Sequence, residues 1–165
     1  MQDPVIDSRE FRQTLGRFPT GVTIITCLNE NGEPVGMTAS SFNSVSLDPP
    51  LVLWSIDKRA YSLQAFTNAS HYAIHVLGEH QQDLSNQFAR QGADKFSGVA
   101  LAEGLAGVPL LTDYCARFQC RNLHQYEGGD HIILVGQVLD FSATEQSPLL
   151  FHRGRYARLE DAALV

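Results

Sequence analysis

The feature that most constrains this chain is a pair of long β-prone runs, Tyr114 to Tyr126 and His131 to Phe141, separated only by Glu127-Gly128-Gly129-Asp130. A glycine-rich turn that short joins antiparallel neighbours, since a parallel pair would need a crossover of about a dozen residues. A second reversal stands earlier. Val22 to Leu28 is dense in β-branched residues, and Asn29-Glu30-Asn31-Gly32 turns it back towards Pro34. With Val52 to Ile56 as the next strand, the first half reads as three successive strands joined by short turns, an antiparallel meander. Tyr72 to Leu77 supplies a further strand.

The helical signals are short and interposed. Asp7-Ser8-Arg9-Glu10 has the form of a capping box, and Phe11, Leu15 and Phe18 then recur on one face. Ala60 to Phe66 reads as a helix ending near Asn68, and Glu79 to Gln91 as a polar helix with an apolar Leu84–Phe88 pair. Gly92 to Pro109 is turn-rich, and Phe151 to Tyr156 is a short extended segment. There is no βαβ alternation and no GxGxxG, which excludes a Rossmann sheet. A mainly β antiparallel barrel is the better solution, because closure removes exposed strand edges.

The 165 residues suffice for one domain with a real core, taken as residues 1–165. A formal net charge of −6 argues against nucleic acid or an anionic membrane as the main partner. No stretch approaches the roughly 20 apolar residues of a membrane span, and the N-terminus has no signal-peptide run, so the chain reads as cytoplasmic. Cys27, Cys115 and Cys120 are odd in number and lack CxxC spacing, and strand alternation puts Cys115 and Cys120 on opposite faces. Neither a disulfide framework nor a metal site is expected.

Gly36 to Pro50 is rich in small hydroxyl residues, flanked by β-prone residues and stopped by Asp48-Pro49-Pro50. A strand end built this way exposes N–H groups and hydroxyls with few bulky side chains in the way, which suits a phosphate-bearing ligand with many polar edges. The next strand ends in Ser55-Ile56-Asp57-Lys58-Arg59, a hydroxyl followed by a basic pair. His131 opens a strand directly after the Gly-Gly-Asp turn, and its charge can change near neutral pH.

Phe18-Pro19-Thr20-Gly21-Val22, Gly36-Met37-Thr38-Ala39-Ser40-Ser41-Phe42 and Ser46-Leu47-Asp48-Pro49-Pro50-Leu51-Val52 together resemble the short-chain flavin reductases, the reductase components of two-component flavin-dependent monooxygenases. Gly129-Asp130-His131 and Phe151-His152-Arg153-Gly154-Arg155-Tyr156 match in order and spacing, so the resemblance runs from about Phe11 to Leu159. It implies a Greek-key split barrel, usually a homodimer, that reduces FMN or FAD with NADH or NADPH and hands the product to a separate monooxygenase. In such a reaction the bound groups carry the chemistry and the protein positions them. By resemblance, Thr38, Ala39, Ser40 and Ser41 border the ring and ribityl chain. Ser55, Ile56, Asp57, Lys58 and Ser62 hold the phosphate end, and Phe88, Ala89 and Lys95 form a second flavin segment. His131 is the catalytic candidate, placed to meet the nicotinamide or the anionic reduced flavin, with His152, Arg153, Gly154 and Arg155 lining the nucleotide. For Lys58 the competing reading is a solvated lysine, and for Phe88 simple helix packing. Tyr61 interrupts the hydroxyl residues usual after the basic position, which leaves FMN and FAD both open. Two alternatives stand: a non-catalytic flavin carrier or sensor on the same barrel, and a related split-barrel oxidase acting on a small substrate such as pyridoxine phosphate, which would want a richer basic set.

Overall fold

In the computed structural model of the chain, which describes residues 1–92 and 94–160, the predicted hairpin is the spine of the molecule. The last five residues of the expected domain lie outside that range. Helix α1 spans Ser8–Leu15; α2, Leu63–Asn68; and α3, Gln82–Ala89. The strands are β1 Thr20–Gly21, β2 Thr23–Leu28, β3 Pro34–Ala39, β4 Asn43–Leu47, β5 Pro50–Asp57, β6 His71–Val76, β7 Leu101–Glu103, β8 Pro109–Leu111, β9 Ala116–Gly128, β10 His131–Ala143, β11 Leu150–His152 and β12 Arg155–Ala157. Strands β9 and β10 pair antiparallel from His131 opposite Gly128 to Ala143 opposite Ala116, with register shifts after Val135 and Val138. Such bulges bend a long ribbon and raise its twist, which lets a sheet curl.

The seven-stranded sheet has the order β3-β2-β6-β9-β10-β5-β4, and every pairing in it is antiparallel. The non-consecutive neighbours make this a Greek-key split barrel with short flanking helices, as the resemblance implied. The expected meander is corrected. Strands β2 and β3 do form a hairpin, but β5 pairs with β10 rather than β3. An additional strand, β4, lies inside the hydroxyl-rich stretch and pairs with β5. Its residues are mostly exposed, so it carries no buried-face pattern. The two ends of the sheet are sewn by one side chain: Ser41 Oγ accepts from the Ser55 N–H at 2.9 Å and donates to the Ser55 carbonyl at 3.0 Å.

Inside the barrel, Trp54 meets Phe66 and Tyr72 edge-on, with ring centroids 4.9 and 5.8 Å apart, packed with Ile25, Ile56, Ile74 and Leu134. Each such aromatic contact contributes about 0.5–1.5 kcal/mol beyond area burial. A second core, containing Val22, Ile24, Leu77, Phe88, Leu111 and Leu149, fills the space under α3 and the small β1-β11-β12 sheet. Strand β2 is therefore buried on both faces, which explains its unbroken β-branched run. His75 lies wholly inside this protein. Its Nε2 accepts from the Leu111 N–H at 3.0 Å, so the proton sits on Nδ1, which donates to the Ile24 carbonyl at 3.0 Å. Burial holds its pKa down to about 4. His75 is thus a structural residue.

Helix α1 begins where the capping box predicts, Asp7 accepting from the Glu10 N–H at 2.8 Å. Its stripe is not covered, and Phe11, Leu15 and Phe18 are all exposed. No helix among the described residues is long and apolar enough to cross a membrane.

Candidate functional site

The predicted site residues fall into four groups. The first lies around a cleft of about 560 Å3 formed by β3, the loop before α2, and the end of α3 with the segment after it. Thr38, Ser62, Phe88, Ala89 and Lys95 all line it, as do Tyr61 and Arg90. The cleft exists because β3 and α3 pack closely. A Cβ on Gly36 would fall 2.6 Å from Phe88 Cε1 and 3.1 Å from Phe96 Cζ, so only glycine permits this approach. Thr38 pins the two elements from the other side, its hydroxyl donating to the Ser85 carbonyl at 2.7 Å. Ser85 Oγ in turn lies 2.7 Å from the Tyr156 hydroxyl, which donates to Asn86 at 2.9 Å. This chain ties β12 to α3 and α3 to β3. It was not read from the sequence, where Ser85 carries no distinguishing pattern and Tyr156 stands only as the last residue of the Phe151-to-Tyr156 match.

Lys95 is the best-placed cation. Its Nζ donates to the Gly36 carbonyl at 3.1 Å and the Phe88 carbonyl at 2.9 Å. The loop that carries it is held by Gln87, whose amide donates to the Lys95 and Ser97 carbonyls at 2.6 and 3.1 Å. An ammonium has three N–H donors, so two carbonyls fix the group and leave one donor for an acceptor in the cleft. Partial burial lowers its pKa. Arg90, at the C-terminal end of α3, adds a second positive charge to the rim. Sequence reasoning stopped one residue short of it, at Phe88-Ala89. Phe88 enters the lining mainly by its backbone position, because its side chain is 0% exposed and stacks edge-on with Phe96 at 4.9 Å. For that ring the packing reading holds.

The second group is the seam. Ser41 and Ser55 are committed to each other, and Ala39 packs against the barrel core while Ser40 is exposed beside it. Ile56 offers a ligand no side chain, being 0% exposed in the core; the alternation that leaves Ser55 and Asp57 half-buried buries it fully. The third group gathers at the end of β5. His131 stands opposite Asp57 across the β5–β10 ladder, and the Lys58 N–H donates to the Asp130 carbonyl at 2.9 Å. The charges here are paired. Lys58 meets Glu127, Arg59 forks onto Asp57 at 3.0 and 3.2 Å, and His131 Nδ1 lies 2.7 Å from Asp130 Oδ1. The Arg59 guanidinium holds the Asp57 carboxyl down to about 2, and His131 lowers that of Asp130. The loop Asp57 to Ser62 runs from this corner to the cleft, whose lining it joins at Ala60, Tyr61 and Ser62.

The fourth group is the β11–β12 hairpin. Arg153 and Gly154 form its turn with φ of 53° and 75°, and the Arg153 N–H donates to the Gly16 carbonyl at 2.9 Å beyond α1. Tyr156, on β12 of this hairpin, is linked to the α3 side of the cleft through Ser85. Cys27 and Cys120 are buried thiols pushed up to about 12, and no three His, Cys, Asp or Glu side chains converge to hold a metal ion among the described residues.

The cleft suits a flat ligand with polar edges and an anionic group: hydroxyls from Thr38 and Ser62, a fixed ammonium, and a wall made to a close fit at Gly36. It contains no nucleophile–base pair, and hydride chemistry needs none.

The family described as "Flavin reductase like domain" matches residues 15–160. An FMN reductase (NADH) of Agrobacterium fabrum is 45% identical over 152 residues, covering 92% of this chain and 86% of that protein. The reductase component of a flavin-dependent trigonelline monooxygenase from Acinetobacter baylyi is 42% identical over 154 residues, covering 93% of this chain; the chain spans 50% of that relative's length. Among solved structures, an NADH:FAD oxidoreductase of Streptomyces globisporus C-1027, in complex with NAD and FAD fragments, superposes with a TM-score of 0.89 at 37% identity. It covers 98% of this chain and 99% of that one.

Proposed function

We propose, from the premise that this chain belongs to the flavin reductase-like family, that it is an NAD(P)H:flavin oxidoreductase whose reduced flavin serves a separate monooxygenase. The observation that carries the reading is the cleft in which β3, the loop before α2, and α3 bring Thr38, Ser62 and Lys95 onto one surface. Bound in the cleft, a flavin would supply the hydride acceptor and the nicotinamide nucleotide the donor. The chain's own residues hold and orient. Lys95 places a positive charge near the bound ring or phosphate, Thr38 and Ser62 meet its polar edges, and Gly36 keeps the wall flat. His131, its Nδ1–H directed to Asp130, presents Nε2 at the corner where we place the nicotinamide. Lys58 is the phosphate partner when it exchanges Glu127 for the ligand. These roles follow the resemblance and the geometry together.

The contacts are short hydroxyls, backbone and one fixed cation. They fit micromolar binding, about −8 kcal/mol, weak enough for flavin to exchange during turnover. We further read residues 1–165 as one cytoplasmic domain that works as a homodimer. The exposed Phe11, Leu15, Phe18 and Phe141 support this. Mixing the purified protein with NADH and FMN or FAD, and following the nicotinamide absorbance, tests the activity. Loss of that band only when flavin is present supports it, and a flat trace with both flavins refutes it.

A further inference from the structure

Beside the cleft opens a second groove of about 640 Å3, and the two share Asn29, Val35, Tyr61 and Ser62 in their linings. Its walls are the β2–β3 turn and α2, and Ala106 and Val108 line it as well. The two cavities differ in their cations. The cleft carries Lys95 and Arg90 beside Glu33 and Asp94, whereas the groove has no lysine or arginine in its lining and has Glu30 with amides such as Gln64 and Asn68. That lining disfavours a phosphate and suits the neutral edges of a base and ribose. Tyr61 stands at the junction. It lines both cavities, its side chain is 94% exposed, and it makes no hydrogen bond among the described residues. A large aromatic ring held in the open between two contiguous cavities offers a ligand its face.

We propose that this groove seats the adenosine end of a dinucleotide, with Tyr61 as the stacking platform and the phosphates left on the Ser62–Lys95 side of the junction. The proposal rests on the flavin reductase reading above. An adenosine diphosphate end belongs to FAD and to the nicotinamide dinucleotide alike, and the groove's chemistry is the same for both. Tyr61 would then decide how much a dinucleotide gains over a mononucleotide.

The test compares wild type, Tyr61→Ala and Tyr61→Phe in two arms. One is the ratio of FAD to FMN dissociation constants, read by flavin fluorescence without nicotinamide. The other is the KM for NADH with FMN as the only flavin. One of these should worsen about five-fold or more in Tyr61→Ala, the low end of what a base–aromatic stack contributes, and stay within about two-fold in Tyr61→Phe, which keeps the ring. A shift in the FAD:FMN ratio supports the proposal with FAD as the source of the adenosine, and a rise in the NADH KM supports it with the nicotinamide nucleotide. If neither moves in a Tyr61→Ala protein whose circular dichroism matches wild type, the proposal is overturned. Failure of the wild type to oxidise NADH with either flavin overturns instead the reading on which the proposal rests.

Discussion

Lowering the pH should destabilise this protein through His75 before Asp57, Asp113 and Asp130 titrate. The ring is 0% exposed, bonded on both nitrogens, and held at a pKa of about 4 against an ordinary value of 6.5. Above pH 6.5 it is neutral in folded and unfolded chains alike, and its contribution is complete. Below that, the unfolded chain takes up a proton that the folded protein refuses until about pH 4, so stability falls across that window. Linkage puts the loss at about 1.4 kcal/mol by pH 5.5 and about 2.5 kcal/mol by pH 4.5. Asp57, Asp113 and Asp130 are all lowered below the usual 3.8, so their losses come beneath the window. Urea unfolding at pH 7.5 and 4.5 reads the effect, with wild type compared against His75→Gln, which removes the titration. Wild type should lose about 2.5 kcal/mol more than the variant between the two pH values, a midpoint difference of about 1 M. The ring nitrogens should also keep the neutral Nδ1–H signature in NMR at pH 5. Equal pH dependence in wild type and variant, or an imidazolium signal at pH 5, would refute the argument.

Other expectations are simpler. Lys95→Met should raise the flavin dissociation constant about ten-fold, measured by fluorescence quenching, because it removes the fixed cation of the cleft. Gly36→Ala should cost about 1–3 kcal/mol in denaturant unfolding and weaken flavin binding, since its Cβ would press on Phe88 at 2.6 Å. His131→Ala should reduce turnover with NADH more than it weakens flavin binding, with Lys58→Ala doing the reverse; equal effects on both parameters would contradict the assignment. Sedimentation at micromolar concentration should show a dimer, and a monomer that binds flavin normally would remove the homodimer from the account.

Local structure was legible where a few adjacent residues decide it. The α1 cap, the Asn31-Gly32 turn and the β9–β10 reversal all stand where their chemistry placed them. Strand neighbours were not. Val52 to Ile56 looks equally like a partner for β3 or β10, because period-two alternation records which face is buried and nothing about the partner. Strand β4 escaped for the opposite reason: Val45 and Leu47 are exposed, so its apolar residues face no core. At the candidate site, the segments named by the resemblance fall at the cleft, the seam, the end of β5 and the β11–β12 hairpin, and burial sorted the side chains within them. Ile56 and Phe88 turn into cores, Ser41 and Ser55 close the barrel, and Lys95 reaches back to Gly36 across 59 residues of sequence.

The central claim is that flavin passes through this protein as a substrate. Gel filtration to strip bound flavin, followed by NADH oxidation with increasing FMN or FAD and coupled cytochrome c reduction, tests it most directly. The account predicts an inactive stripped protein, a saturating rise with added flavin, and cytochrome c reduction that follows free flavin. Protein that keeps stoichiometric flavin through the column, and oxidises NADH at a rate indifferent to added flavin, would contradict it.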